Sequence, residues 1–254
     1  MPGEIATDRM VLKIGGADRE HFLHGLVTHD VKPVGGGLVY TALLSPQGKY
    51  LADFFLLDQG DQILLDVKAE IAPKLAQRLM MYKLRADVTI EDSGLGVVRG
   101  LGVVPDGAWA DPRDPALGWR GYGMDGGTPE IDWGAIRVAH VIPETGVELR
   151  PEESFILEMG FDRLAGVDHR KGCYVGQEVT ARMKHKTELR KGLAQVEIDG
   201  AAPVGTEILA EDGRAVGVLH TQSGNKALAY LRFDRAGGSM TAGEAQLTWS
   251  GTKR

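Results

Sequence analysis

The residues whose types and spacing could do chemistry are Lys171-Gly172-Cys173-Tyr174-Val175-Gly176-Gln177-Glu178, followed by Val179-Thr180-Ala181-Arg182-Met183-Lys184-His185-Lys186. Cys173 is the only cysteine in 254 residues. Gly172 and Gly176 bracket it and admit backbone conformations closed to other residues. From Gln177 to Lys186 good helix formers follow, with Val179 and Met183 spaced i,i+4. The pattern predicts Cys173 in a tight turn that feeds a helix N-terminus. Unpaired backbone N–H groups, the positive end of the helix dipole and the neighbouring Arg170 and Lys171 would there favour thiolate over thiol. One reading is a reactive or ligating sulfur. The other is a buried structural cysteine, against which the Gly and Lys surroundings argue.

Lys-Gly-Cys-Tyr-x-Gly-Gln-Glu, with Ala181-Arg182 and a basic segment beyond it, resembles the signature of the YgfZ family, folate-binding proteins linked to iron–sulfur cluster assembly and repair. Those proteins share a fold with the aminomethyltransferase (T-protein) of the glycine cleavage system, which has Asp at the position of Cys173. The segment Phe22-Leu23-His24-Gly25-Leu26-Val27-Thr28-His29-Asp30 is similar to Phe-Leu-Gln-Gly-x-x-Thr-x-Asp, common to both branches. Tyr40 and Asp53 flank Gly48 as a Tyr and an Asp do in the aminomethyltransferases, where they face the folate and the Asp is credited with the chemistry. Ser154-Phe155-Ile156-Leu157-Glu158-Met159-Gly160 is similar to their Ser-x-x-Leu-Glu-x-Gly, whose Glu accepts hydrogen bonds from the pterin. A carboxylate suits that task because an aminopyrimidinone edge offers adjacent N–H donors.

The resemblance implies tetrahydrofolate, or a one-carbon derivative of it, as cofactor. It makes Tyr40, Asp53, Glu158 and Arg190 the folate contacts and Cys173, Lys171 and Asp53 the catalytic candidates, with Lys171 holding the Cys173 thiolate. The signature residues are Lys171, Gly172, Cys173, Tyr174, Gly176, Gln177, Glu178 and Arg182. The implied function is a tetrahydrofolate-binding accessory protein for assembly or repair of iron–sulfur enzymes, with those enzymes or cluster-assembly proteins as partners. The alternative is a folate-dependent aminomethyl or one-carbon transferase, favoured by Asp53, Tyr40 and Glu158 and disfavoured by Cys173. The basic segment Lys184-His185-Lys186-Thr187-Glu188-Leu189-Arg190-Lys191 departs from the family's His-x-Gly-x-x-(Lys/Arg) form.

The elements that must position these residues read as α+β. Ala17 to Val27 is an amphipathic helix with Phe22, Leu23, Leu26 and Val27 on one side. Leu38 to Leu44, Tyr50 to Leu57 and Gln62 to Val67 are strands of an antiparallel meander, joined by Ser45-Pro46-Gln47-Gly48 and Asp58-Gln59-Gly60-Asp61. A helix from Glu70 to about Leu84 and a strand from Val88 to Glu91 follow. Residues 94–127 are short strands and loops, rich in glycine. Asp132 caps a helix running to about Val141, and Pro151 opens another that Gly160 stops. After Lys191, five glycine-punctuated strands read as a small β-barrel. The expected domains are a folate-binding body over 1–187, made of two interleaved subdomains with a seam near 94–130, and a barrel over 188–254. The fold class is thus an aminomethyltransferase-like body of antiparallel sheets and helices with a C-terminal barrel.

Composition narrows the classes further. With 43% hydrophobic and 25% charged residues the chain is long enough for one large core or two smaller ones. A net charge of -6 gives no footprint for general nucleic-acid binding. The exception is His169 to Lys191, with seven Lys or Arg against two Glu, which suits a solvated face or an anionic tail such as folate glutamates. No apolar run approaches the ~20 residues of a membrane span, and no secretory signal is read at the start. His21 and His24 lack a third metal ligand nearby in sequence, so no metal site is expected. A lone cysteine excludes an internal disulfide, which together with these features predicts a cytoplasmic protein. It also cannot supply a four-thiolate cluster site alone.

Overall fold

The computed structural model describes residues 3–31, 36–185 and 188–252. The chain divides into two compact units, Met1–Ile131 with Leu164–Val179 and Asp132–Arg163 with Thr180–Arg254. In the first unit β1 (Glu4–Ile5), β2 (Arg9–Gly15), α1 (Arg19–His24), β3 (Val39–Leu44), β4 (Tyr50–Asp58) and β5 (Ile63–Lys68) come first. They are followed by α2 (Ala72–Lys83), β6 (Thr89–Asp92), β7 (Val97–Gly100), β8 (Ala108–Ala110) and β9 (Trp119–Tyr122).

Five antiparallel strands pair in the order β3-β4-β5-β2-β6, and four more in the order β1-β7-β9-β8. Alternation sorts the larger sheet into two faces. Val39, Phe54, Leu56, Leu65 and Val67 join Leu12 and Ile14 on one face, packed with Phe22 and Leu23 of α1 and Leu75 and Leu79 of α2. Burying each of these large side chains contributes about 1.5–3 kcal/mol. The opposite face carries Tyr40, Phe55 and Asp66, aligned by the register Tyr40↔Phe55 and Phe55↔Asp66, with Asp53 two residues from Phe55. A polar cluster therefore lies across the sheet from an apolar core.

The expected meander, the helix after it and the strand that follows, β6, are all present. β6 pairs with β2, a strand that sequence reading omitted because Arg9 and Lys13 break its apolar run. Arg9 is nonetheless placed against the sheet by Asp66, its Nε 2.7 Å from Oδ1. The first helix is also shorter than expected: Gly25 caps it, and Leu26 and Val27 continue as turns bonded to the Leu23 carbonyl.

In the second unit α3 (Trp133–His140) is capped by the Asp132 carboxylate, which accepts from Ala135 N at 2.8 Å, and ends at Val141 in the left-handed region. The helix expected from Pro151 to Gly160 does not form. Glu152 takes φ +67°, and Met159 and Gly160 donate to carbonyls three residues back, so the segment is a chain of turns. The path crosses from the first unit to the second within α4 (Gln177–His185). Then β10 (Lys191–Asp199), β11 (Glu207–Ala210), β12 (Ala215–Ser223), β13 (Lys226–Arg232), β14 (Ser239–Ala242) and β15 (Ala245–Thr248) close a barrel in the order β10-β13-β12-β11-β14-β15. Five of these six strands were expected; β14 was not. Val196, Ile208, Leu219, Ala229, Leu231 and Leu247 are among the residues that fill the interior.

Candidate functional site

Within the first unit the signature residues from Lys171 to Gly176 form a loop held at three points. Lys171 is buried, and its Nζ donates to the carbonyls of His24 and Val27, each at 2.6 Å. A cation there satisfies acceptors left over at the end of α1. Burial draws the Lys171 amine down to about 8, against the opposing pull of Asp30 and Asp168. Tyr174 is buried as well, its ring centroid 5.0 Å from Nζ.

The third point is a contact between glycines. Gly176 has φ +82°, and a Cβ on it would lie 2.7 Å from the Ser45 carbonyl and 3.1 Å from Gly48 Cα. Gly48 in turn has φ +73°, and its Cβ would strike Val179 at 2.7 Å. The β3–β4 turn and the start of α4 can meet this closely only where both positions are glycine. The conformational freedom expected of Gly176 is used, since its φ is positive, and the close approach to the β3–β4 turn is a second reason for glycine there.

Between the held points Gly172 and Cys173 are exposed. Gln177 Nε2 reaches the Gly172 carbonyl at 3.4 Å, and Glu178 sits exposed in the first turn of α4, where a negative charge is favoured. Arg182 is exposed in the last turn. Cys173 lies ahead of α4, whose first residue is Gln177, but the turn that feeds the helix falls at Val175 and Gly176 rather than at Cys173. Lys171, expected to hold its thiolate, is committed instead to two main-chain carbonyls.

On the polar face of the same unit's sheet, Asp53 is 5% exposed. Tyr40 Oη donates to Oδ2 at 2.8 Å and Tyr50 Oη to Oδ1 at 2.7 Å. Sequence reading paired Asp53 with Tyr40 and missed Tyr50, because residues three apart on a strand face opposite ways. A bulge between the Leu43↔Ala52 and Leu44↔Tyr50 pairs shifts the alternation and brings Tyr50 round. Burial, reinforced by Asp53, raises the Tyr40 phenol well above its ordinary pKa, so it stays a donor.

Beside this group the Arg113 guanidinium lies 5.2 Å from the Tyr40 ring centroid and 4.7 Å from that of Phe55, with Arg120 at 4.0 Å over Phe55. Arg120 also bridges Asp66 and Asp111, 3.1 Å from each, and Arg113 holds Asp111 at 2.8 Å. Although burial opposes it, Arg113 and Arg120 hold the Asp111 carboxyl down at about 2. Three arginines, Arg9, Arg113 and Arg120, thus balance Asp53, Asp66 and Asp111 beneath the sheet.

The second unit holds a cavity of about 250 Å³. Glu158 lines it, reached by Tyr230 Oη at 2.7 Å, which shares the wall. Glu148 also lines it but is fixed by Thr221 Oγ1 at 2.5 Å, Glu144 N at 2.9 Å and Arg137 Nη1 at 3.3 Å. His220 completes the polar lining together with Arg150, Glu153 and Ser154. Arg190, expected to contact folate, is exposed and is not part of this lining; its carbonyl accepts from Phe233 N at 2.8 Å. The arginine at the cavity is Arg150, which no motif singled out. Lys186 and Thr187 of the basic segment lie outside the described residues. Among the described residues no three His, Cys, Asp or Glu side chains gather as a metal site, and no helix is long and apolar enough to cross a membrane.

The architecture matches that of the glycine cleavage system aminomethyltransferase T from Bartonella henselae, with a TM-score of 0.73 over 96% of this chain and 82% of that one, at 11% identity. The protein has the aminomethyltransferase-like fold with a C-terminal six-stranded barrel. Residues 190–252 match the CAF17 C-terminal beta-barrel domain. By sequence the chain is similar to mitochondrial iron–sulfur cluster assembly factors IBA57: 29% identical to that of Mus musculus and 28% to that of Homo sapiens, covering 91% of this chain and 78% of each relative. It is 30% identical to the Mycosarcoma maydis homologue over 72% of its own length, and spans 54% of that relative. These likenesses reach the fold and the IBA57 proteins rather than the YgfZ branch specifically. They also correct the cytoplasmic location expected from composition. The relatives are named as mitochondrial, and a lone cysteine does not tell one reducing compartment from another.

Proposed function

We propose that this protein is an iron–sulfur cluster assembly factor that binds tetrahydrofolate, or a one-carbon derivative, and meets its partners through Cys173. The observation that carries the reading is the exposure of the sole thiol on a loop whose neighbours Lys171, Tyr174 and Gly176 are fixed by burial and close contact. The names of the relatives support the cluster half. The signature at 171–178 supports a YgfZ-like, folate-binding version of it. A cluster would be cargo, with further ligands from a partner, a second copy or a small thiol, since one cysteine is too few.

The folate half draws on the second unit's cavity. Its size is below the roughly 300–1,000 Å³ of sites for whole drug-sized ligands, so it suits a ring system whose tail lies outside. Glu158 offers that ring a carboxylate with one phenol already bonded. The test is complementation of cells lacking the native protein with Cys173→Ala and with Glu158→Ala, reading a cluster-dependent enzyme, beside calorimetry with tetrahydrofolate. Loss of enzyme activity in the first and of heat in the second is expected. Full activity with Cys173→Ala contradicts the reading.

A second reading, a folate-dependent one-carbon transferase, draws on the Asp53 carboxylate set between two phenols. Incubation with tetrahydrofolate, ammonia and an aminomethyl-loaded lipoyl carrier separates the two, because only a transferase forms methylenetetrahydrofolate.

A further inference from the structure

We propose that His220 is a ligand-reading group of the second unit's cavity, donating from a neutral Nε2–H, so that the cavity selects a heterocycle with an N–H edge for Glu158 and a ring carbonyl for the imidazole. The inference rests on the folate reading and sharpens it to a choice between carbonyl-bearing and amine-bearing rings.

Three observations support it. First, His220 stands in a bulge of β12. The pairing with β13 runs Leu219↔Ala229 and then Gln222↔Ala227, so His220 and Thr221 together face a single residue. Such a bulge re-aims side chains, and here it sends Thr221 to Glu148 and leaves His220 on the cavity wall.

Second, His220 is 4% exposed and its Nδ1 is buried without a hydrogen-bond partner among the described residues. A buried N–H with no acceptor costs more than a bare lone pair, which places the proton of the neutral ring on Nε2. That nitrogen is not among the sealed, unpartnered atoms and has no protein partner among the described residues, so it is the one the ring offers to the cavity. Burial disfavours the imidazolium further; Glu148 pulls the other way, and Arg150 sides with burial.

Third, the remaining polar wall has a complementary sense. Glu158 accepts, and Tyr230 already donates to it. A ligand edge that gives an N–H to Glu158 and takes a hydrogen bond from His220 satisfies both groups, as a cyclic amide does. Sites that hydrogen-bond a ligand group reject analogues lacking it, because the buried partner is then left unpaired.

The test compares 2-amino-4-oxopteridine with 2,4-diaminopteridine by calorimetry on the full chain. Both offer N–H groups to Glu158, but position 4 is an acceptor in one and a donor in the other. The unaltered protein should bind the oxo ring about tenfold tighter or more, the scale of one buried hydrogen bond. His220→Phe should bring the two within about twofold, and His220→Gln, whose amide can donate, should restore the preference. Equal binding of both rings by the unaltered protein, or a preference untouched in His220→Phe, overturns the role of His220 and leaves the folate reading standing. Binding of neither ring to the unaltered protein overturns both. The ratio in the unaltered protein and His220→Gln keep the test decisive if His220→Phe does not fold.

Discussion

Lys171 Nζ lies 2.6 Å from the Val27 carbonyl oxygen, which ties the signature loop to the segment that follows α1. Lys171→Met keeps the side-chain volume but leaves two acceptors, Val27 O and His24 O, without their donor. The expected cost is about 1–3 kcal/mol in urea unfolding at neutral pH. The pH dependence carries a definite sign. The folded amine titrates near 8 and an ordinary lysine at 10.5, so between those values the unfolded chain holds a proton the folded chain has released. Stability relative to Lys171→Met should therefore be flat below about pH 8 and rise from there toward 10.5. A difference that falls over that interval contradicts the burial of this cation.

Gly176→Ala should destabilise by about 2 kcal/mol or more, since the new Cβ meets Ser45 O at 2.7 Å in a backbone region that disfavours side chains. Gly172→Ala is the control. Its Cβ would find only His24 Nε2, at 4.0 Å, and the change should stay within about 0.5 kcal/mol. Equal effects of the two substitutions would refute close approach as the reason for the second glycine.

Arg120→Met strips the shared partner from Asp66 and Asp111, and breaking a buried pair this way should cost about 3–5 kcal/mol. Asp111 gives a second handle. Its folded carboxyl is held at about 2, below the ordinary 3.8, so its contribution is fully present above about pH 3.8 and lost as pH falls through 2. Acid unfolding of the protein beside Asp111→Asn should show an advantage of about 2 kcal/mol at neutral pH that shrinks toward pH 2. An advantage constant with pH would mean the arginines do not hold this charge.

Sequence patterns registered what is local. The alternation of β3, β4 and β5, the Asp132 cap and the glycine-punctuated barrel strands are written in neighbouring residues, and each was legible. What depended on distant partners was not. β2 reads poorly as a strand until Asp66 accepts Arg9. Tyr50 joins Asp53 only through a bulge, and Glu158 sits on turns because Glu152 leaves the helical region. The commitment of Lys171 to carbonyls some 144 positions away cannot be inferred from a two-residue spacing to Cys173. His220 and Arg150 became candidates only when barrel closure gathered them around one cavity.

We propose that Cys173 is the working group and that the residues around it are its mount. Cys173→Ala tests this when urea unfolding and the activity of a cluster-dependent enzyme in complemented cells are measured for the same variant. The expected result is an unfolding free energy within about 0.5 kcal/mol of the unaltered protein, as for an exposed side chain, together with loss of the enzyme activity. Activity retained, or lost only in step with a fall in stability, would contradict it.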